Sequence, residues 1–285
     1  MHWADYTAQR LMERGGDQVS ASGITPSGEF HIGHLREILS AEMIHRACLD
    51  AGMSSKYIFI VDSMDPLRRV YDFLSPEYEE FIGCPLAFIP APGEDGSPGD
   101  GSVTYADYFL SPFLDALEQI GVRPEVVMNH ETYEKGLFAE YIDSAITNRE
   151  EIRRLIQQIS GRELPSDWFP YNPMGSGGSM DGVTVTGYEK PYVLWIDSSG
   201  NEGKSDIRKA QGKMPWRIDW AARWVIHGIT CEPAGKDHGA AGGSYDTGIP
   251  ICSLLGGNPP DKIVYEWIQL KGMGPMSSSS GLTIG

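Results

Sequence analysis

Apolar and polar positions follow two periods along this chain. Residues 3–14, "WADYTAQRLMER", read as an amphipathic helix. "QVSASGIT" has the length and composition of a short buried strand, and it runs through the turn "TPSGEF" into a long helix. In that helix Leu35, Ile38, Leu39, Met43, Ile44 and Ala47 keep a period of about 3.6 residues, and Gly52 ends it. "KYIFIVDSMDPLRRV" predicts a second buried strand, whose end presents Asp62 and Asp65. Strand, turn, helix and strand in this order open a parallel α/β sheet.

Downstream, residues 90–102 are rich in glycine, proline and acids and read as a mobile loop. "FLSPFLDALEQIGV" predicts a helix, "PEVVMNH" a strand, and residues 133–160 helix nearly throughout. The stretch from Met174 to Gly203 reads as one or two hairpins between glycine-rich turns. From Trp216 the α/β pattern returns: a strand in "RWVIHGITCEPAG", a helix in "SYDTGIPICSLLGG" and a last strand in "KIVYEWIQLKG". The sheet therefore begins before residue 75, is interrupted, and resumes after about 215. No internal repeat is present.

With 285 residues, 41% of them hydrophobic and 22% charged, the chain has ample material for a core. No stretch approaches the ~20 apolar residues of a membrane helix, and the start carries no signal-peptide core. A soluble cytoplasmic protein without membrane contact is expected. Cys48, Cys84, Cys231 and Cys252 lie far apart with no C-x-x-C pair, so buried free thiols are expected. The net charge of −16 repels nucleic acid over most of the surface, so any RNA contact requires a local basic patch. Two clusters qualify: Arg149, Arg153 and Arg154 with Arg162 beyond, and Lys204, Arg208, Lys209, Lys213 and Arg217. Taken alone, either reads first as a solvated face.

Three segments carry chemistry. In "TPSGEFHIGHL", Pro26 and Gly28 turn the chain at the carboxyl end of a strand, where open α/β sheets place ligands. His31, Ile32, Gly33 and His34 follow at a helix start, whose N–H groups favour phosphate. Gly33 admits close approach, and two imidazoles on one helical face can donate to phosphoryl oxygens. The second segment, "EPAGKDHGAAGGSYDTG", sets Lys236, Asp237, His238, Ser244, Tyr245 and Asp246 among small residues. The third, "GPMSSSSGLTIG", reads by itself as a tail.

Together and in this order the three segments resemble the class I lysyl-tRNA synthetases, and the resemblance runs over essentially the whole chain. It implies an α/β fold with a Rossmann-type parallel sheet, a HIGH-type nucleotide site and an inserted α+β connective region. Residues 1–89 would form the first half of the catalytic domain. Residues 90–215 would hold the remaining sheet and helices with the insertion, and 216–285 the second half, ending at a KMSKS-like loop. Family members continue into a helical anticodon-binding region, and this sequence stops before it, so a catalytic core without that region is expected. The implied activity is activation of L-lysine by ATP to lysyl-adenylate, then transfer to tRNA. His31 and His34 would be catalytic. Pro26, Gly28, His31, Gly33, His34 and Met276, Ser277, Ser278 and Ser279 would bind ATP. Gly23, Thr25, Trp216 and His238 would line the lysine pocket, the indole facing an ammonium group. Mg²⁺ would come with the ATP, and the Lys204–Arg217 cluster would meet the tRNA acceptor end.

The chain departs from the family pattern at informative places. The last loop has Pro275 and Ser280 where many members carry lysines that neutralise phosphate charge; Lys271 and Lys236 are the nearest substitutes in sequence. In "NPMGSGGSMDG" and "LWIDSSGNEG", glycine or serine stands where many members hold zinc-binding thiolates, so no zinc and no other resident metal is expected. Two alternatives stay open: a truncated paralogue that activates lysine or a relative for a non-tRNA acceptor, and a catalytically silent paralogue that binds lysine or nucleotide.

Overall fold

A computed structural model describes residues 1–270 together with Gly274 and Pro275. In chain order its elements are α1 (Trp3–Arg14), β1 (Gln18–Ile24), α2 (Ile32–Asp50), β2 (Ser55–Val61), α3 (Tyr105–Gln119), β3 (Glu125–Met128), α4 (Asn129–Glu134), α5 (Ala139–Thr147) and α6 (Arg149–Ser160). There follow β4 (Asn172–Pro173), β5 (Thr184–Glu189), β6 (Tyr192–Ile196), β7 (Glu202–Asp206), β8 (Gly212–Lys213), α7 (Trp216–Ile226), β9 (Cys231–Gly235), α8 (Lys236–Gly239), α9 (Ser244–Leu254) and β10 (Asp261–Tyr265). Strands β11 (Gln269–Leu270) and β12 (Gly274–Pro275) pair antiparallel just before the serine run.

The central sheet is parallel throughout, in the order β10-β9-β1-β2-β3. The chain winds outward from β1 through β2 to β3, then crosses to the other side for β9 and β10. Strand direction of winding therefore reverses between β1 and β9, the point where open α/β sheets form a ligand crevice. β2 shows why the sheet is buried on both faces. Tyr57, Phe59 and Val61 meet Ile38 and Ala41 of α2 and Leu110, Phe113 and Leu117 of α3. Ile58 and Ile60 point the other way, into a core with α5, α6, α7 and α9. Ile38 and Ile44 are fully buried as the helical period requires, but Met43 is exposed because α1 covers a narrower stripe of α2.

The insertion is a second layer of structure. β5, β6 and β7 form an antiparallel sheet of two hairpins, and β8 returns the chain to α7. The 90–102 segment folds back on itself: the Ala91 and Gly93 N–H groups donate to Val103 and Ser97 oxygens, and Pro92 faces Pro98 in an isolated bridge. The four cysteines are buried and free. Among the described residues no helix is long and apolar enough to cross a membrane.

Candidate functional site

A cavity of about 590 Å³ opens at the carboxyl ends of β1, β2 and β9. Five expected site residues line it: Gly23 and Thr25 from β1 and its turn, His34 from α2, Trp216 from α7 and His238 from α8. Pro26, Gly28, His31 and Gly33, from the turn and the start of α2, do not line it. Met276–Ser279 lie outside the described residues.

The start of α2 caps itself. His31 is the N-cap, and its Nδ1 accepts the Gly33 N–H at 3.0 Å. Nδ1 of His34 accepts the His31 N–H at 3.1 Å, and the two rings stack 3.9 Å apart. These bonds occupy two of the N–H groups that the sequence left free for phosphate. They also fix the tautomers, because a ring whose Nδ1 accepts carries its proton on Nε2. Burial, with the neighbouring His31, lowers the His34 pKa to about 3, and burial lowers that of His31 as well. The pair is thus neutral, with its protons on Nε2, and His34 lines the cavity.

On the opposite wall Trp216 and Trp220 stack with centroids 5.0 Å apart, and His238 packs against both at 5.6 and 5.7 Å. The His238 Nδ1 lies 3.4 Å from the Ser244 hydroxyl, and burial lowers its pKa. The remaining charged residues of the wall are five carboxylates, Glu37, Asp62, Asp65, Glu232 and Asp237, and one arginine, Arg68. Glu37 accepts the Gly23 N–H at 2.9 Å and the Tyr265 hydroxyl at 2.9 Å. Burial raises its pKa to about 8, although one side still meets the cavity. Glu232 accepts the Trp224 indole N–H at 2.7 Å, and burial raises its pKa. Sequence reasoning noted Asp62 and Asp65 but gave them no role, and it missed Glu37 and Glu232. Glu37 had a signal, since it follows His34 by three residues on the same helical face.

Behind the wall lies a buried ion network. Arg223 meets Asp62 at 2.5 Å and Asp219 at 2.7 Å, while Lys213 meets Asp65 at 2.9 Å and Asp219 at 3.7 Å. Thr25 donates to Asp65 at 2.7 Å, and Tyr133 to Asp219 at 2.5 Å. This corrects the expected RNA-binding cluster. Lys213 is 4% exposed and locked between carboxylates, so it cannot reach a tRNA. Burial acts to lower its pKa, but Asp219, Asp65 and Asp62 outweigh that and raise it. Of the others, Lys204, Arg208 and Lys209 are exposed, with Arg208 paired to Asp206. Arg217 is half-buried and donates to the Gly243 oxygen and the Thr247 hydroxyl.

In the insertion, the two turns read as former metal positions do pack together. Asp197 accepts from Ser176 Oγ at 2.6 Å, from the Asn201 N–H at 2.9 Å and from the Ser199 N–H at 3.0 Å. These bonds hold its pKa below the usual carboxylate range. A carboxylate, a hydroxyl and an amide satisfied by one another do not fit a thiolate-bound zinc ion.

The family described as tRNA synthetases class I (K) matches the chain over residues 1–285. The chain belongs to this family. The lysine--tRNA ligase of Picrophilus torridus is 44% identical over 286 residues, covering all of this chain and 55% of its own length. That of Archaeoglobus fulgidus is 43% identical, again over the whole chain and 57% of its own length. This class I synthetase chain thus spans about half the length of the curated relatives it matches. A solved tyrosyl-tRNA synthetase from Archaeoglobus fulgidus aligns over 98% of this chain and 64% of its own, at 15% identity and a TM-score of 0.49, too loose for residue-level comparison.

Proposed function

We propose that this chain is the catalytic core of a lysine--tRNA ligase, forming lysyl-adenylate from L-lysine and ATP and passing the lysyl group to tRNA in the cytoplasm. The observation that supports this most is one shared cavity holding a neutral His34 donor and the acid- and indole-rich wall around Glu37. A carboxylate with no cation among its hydrogen-bond partners, half-buried and open to the cavity, suits a ligand that brings its own ammonium group. Trp216, Trp220 and His238 then pack along the ligand's alkyl chain and amine.

In this reading a lysine carboxylate oxygen attacks the α-phosphorus of ATP and pyrophosphate departs. His34 donates from Nε2 to a phosphoryl oxygen as charge builds there, and His31 holds that ring by stacking and by its N–H. Catalysis is positional and electrostatic, with no protein nucleophile. Mg²⁺ would come with the ATP as part of the substrate. Pro26, Gly28 and Gly33 shape the turn on the nucleotide side, with Met276–Ser279 as the second ATP element. Without Lys213, the acceptor end of tRNA is left Lys204, Arg208, Lys209 and Arg217. The test is pyrophosphate exchange across the amino acids: lysine-dependent exchange is expected, and none at any ATP concentration would overturn the reading. Pro275 and Ser280 favour one competing reading, a silent lysine-binding paralogue. It predicts lysine binding by calorimetry without exchange.

A further inference from the structure

The cavity assigned to ATP has acidic walls, and a triphosphate entering it meets like charge. Among the described residues, five carboxylates line it and one arginine or lysine does so, Arg68. Lys213 and Arg223 lie behind the wall, each bound to two carboxylates. Lys236, a sequence neighbour of His238, is paired with Glu266 at 2.6 Å and lies over the Trp267 ring. The last loop carries proline and serine at 275 and 280.

Arg68 is built to reach a ligand. It lies three residues past Asp65, in the loop that follows β2, and lines the same cavity as Thr25 and Ser27. The backbone around it is pinned: the Asp65 N–H donates to the Asp62 oxygen at 3.0 Å, and the Leu67 N–H to the Cys84 oxygen at 2.9 Å. The side chain is 74% exposed and its guanidinium is held only loosely, 3.9 Å from Asp65. Asp65 is itself engaged more tightly by Lys213 and Thr25. A fixed base with an exposed, permanently charged, forked head suits a phosphate group, which it can meet with two parallel N–H bonds.

We propose that Arg68 is the phosphate-binding cation of this site, supplying from the β2 side the positive charge that the last loop lacks at 275 and 280. The proposal rests on the adenylation reading above. As the lysine carboxylate oxygen bonds to the α-phosphorus, the bond from that phosphorus to the bridging oxygen breaks and its electron pair leaves on pyrophosphate. Arg68 donates N–H groups to the departing oxygens and transfers no proton.

The test compares wild type with Arg68→Ala and Arg68→Lys in lysine-dependent pyrophosphate exchange. Arg68→Ala is expected to lower kcat by ~10²-fold or more, with KM for lysine within about twofold of wild type. Arg68→Lys should recover part of the rate, and Ser280→Lys in the Arg68→Ala background should recover part as well. An exchange rate unchanged in Arg68→Ala overturns the proposal. A rise confined to KM for lysine also overturns it, since Arg68 would then serve the amino-acid carboxylate. Mg-ATP binding by calorimetry separates this from failure of the lysine reading. Binding about tenfold weaker in Arg68→Ala supports the assignment even if lysine proves not to be the substrate, and equal binding overturns it. Failure of wild type to bind Mg-ATP overturns both. The exposed position leaves the urea midpoint of Arg68→Ala unchanged, so loss of fold does not confound the result.

Discussion

Glu37 of α2 and Tyr265 of β10 lie 228 residues apart in the chain and share a 2.9 Å hydrogen bond at the cavity wall. The bond joins the helix that begins with the two histidines to the outermost strand on the other side of the sheet. Glu37 also accepts the Gly23 N–H, so one side chain ties β1, α2 and β10 together at the cavity. Replacing it with glutamine keeps an oxygen acceptor and removes the charge. Losing one partner of a buried charge pair with the ligand costs about 2–5 kcal/mol, so KM for lysine in Glu37→Gln should rise ~30-fold or more, with a smaller change for ATP. Steady-state pyrophosphate exchange with each substrate varied in turn measures this.

The same residue gives a pH signature. Burial raises its pKa from 4.5 to about 8, so between those values the folded protein keeps a proton that the unfolded chain releases. The folded state then binds more protons, and its stability falls as pH rises from about 5 to 8. On the proposed reading lysine would bind the ionised form, so its affinity should climb by up to about tenfold per pH unit and level off above about pH 8. Glu37→Gln should flatten both trends. Its melting temperature relative to wild type should be higher at pH 8 than at pH 5, by at least about 2 °C. Calorimetric titration with lysine and thermal melts across this range check both.

On the proposed reading His34 would act as a neutral donor, since its pKa of about 3 leaves it uncharged from mildly acid to alkaline pH. Asparagine keeps an acceptor for the His31 N–H but loses the Nε2 donor. His34→Asn should lower kcat for exchange by ~10²–10³-fold and leave lysine binding within about twofold. A comparable loss of lysine affinity would place the ring on the amino acid instead of the phosphate.

Lys213→Met removes the cation shared by Asp65 and Asp219; Asp219 keeps Arg223, and the buried Asp65 carboxylate loses its close cation. The expected cost is about 3–5 kcal/mol, read from the urea midpoint. Asp65→Asn in the same chain should recover part of it, because the two sites share one interaction.

Gly243→Ala tests the loop that carries His238. A Cβ at Gly243 would collide with the backbone oxygens of His238 and Ala240, groups that cannot swing aside. The expected cost is about 1–3 kcal/mol, with a rise in KM for lysine as His238 shifts. Thermal melts and exchange kinetics on one preparation show whether the two effects move together.

Much of the fold was legible because its signals are local. Val19, Ala21, Ile58 and Ile60 against Tyr57, Phe59 and Val61 form an alternation that any reader of the chain can find, and it marks a strand buried on both faces. The T-P-S-G turn and the H-I-G-H helix start carry their meaning in adjacent residues. The loop at 90–102 was less legible: its composition reads as open loop, while its backbone bonds fold it back on itself.

The sequence by itself determined the α/β class and the family, because short motifs at strand ends specify these, and Gly23, Thr25, His34, Trp216 and His238, which the resemblance implies, line one cavity. Only the tertiary structure decided which charges are free. Lys213 and Arg68 are both basic residues in polar stretches, yet one is sealed between Asp65 and Asp219 and the other stands 74% exposed at the cavity. Charge pairing and burial depend on neighbours from distant segments. Lys213 is neutralised by residues of the β2 loop and α7, and Glu37 is completed by β10. No local pattern contains those partners, so the electrostatics of the site exist only once the sheet has closed around it.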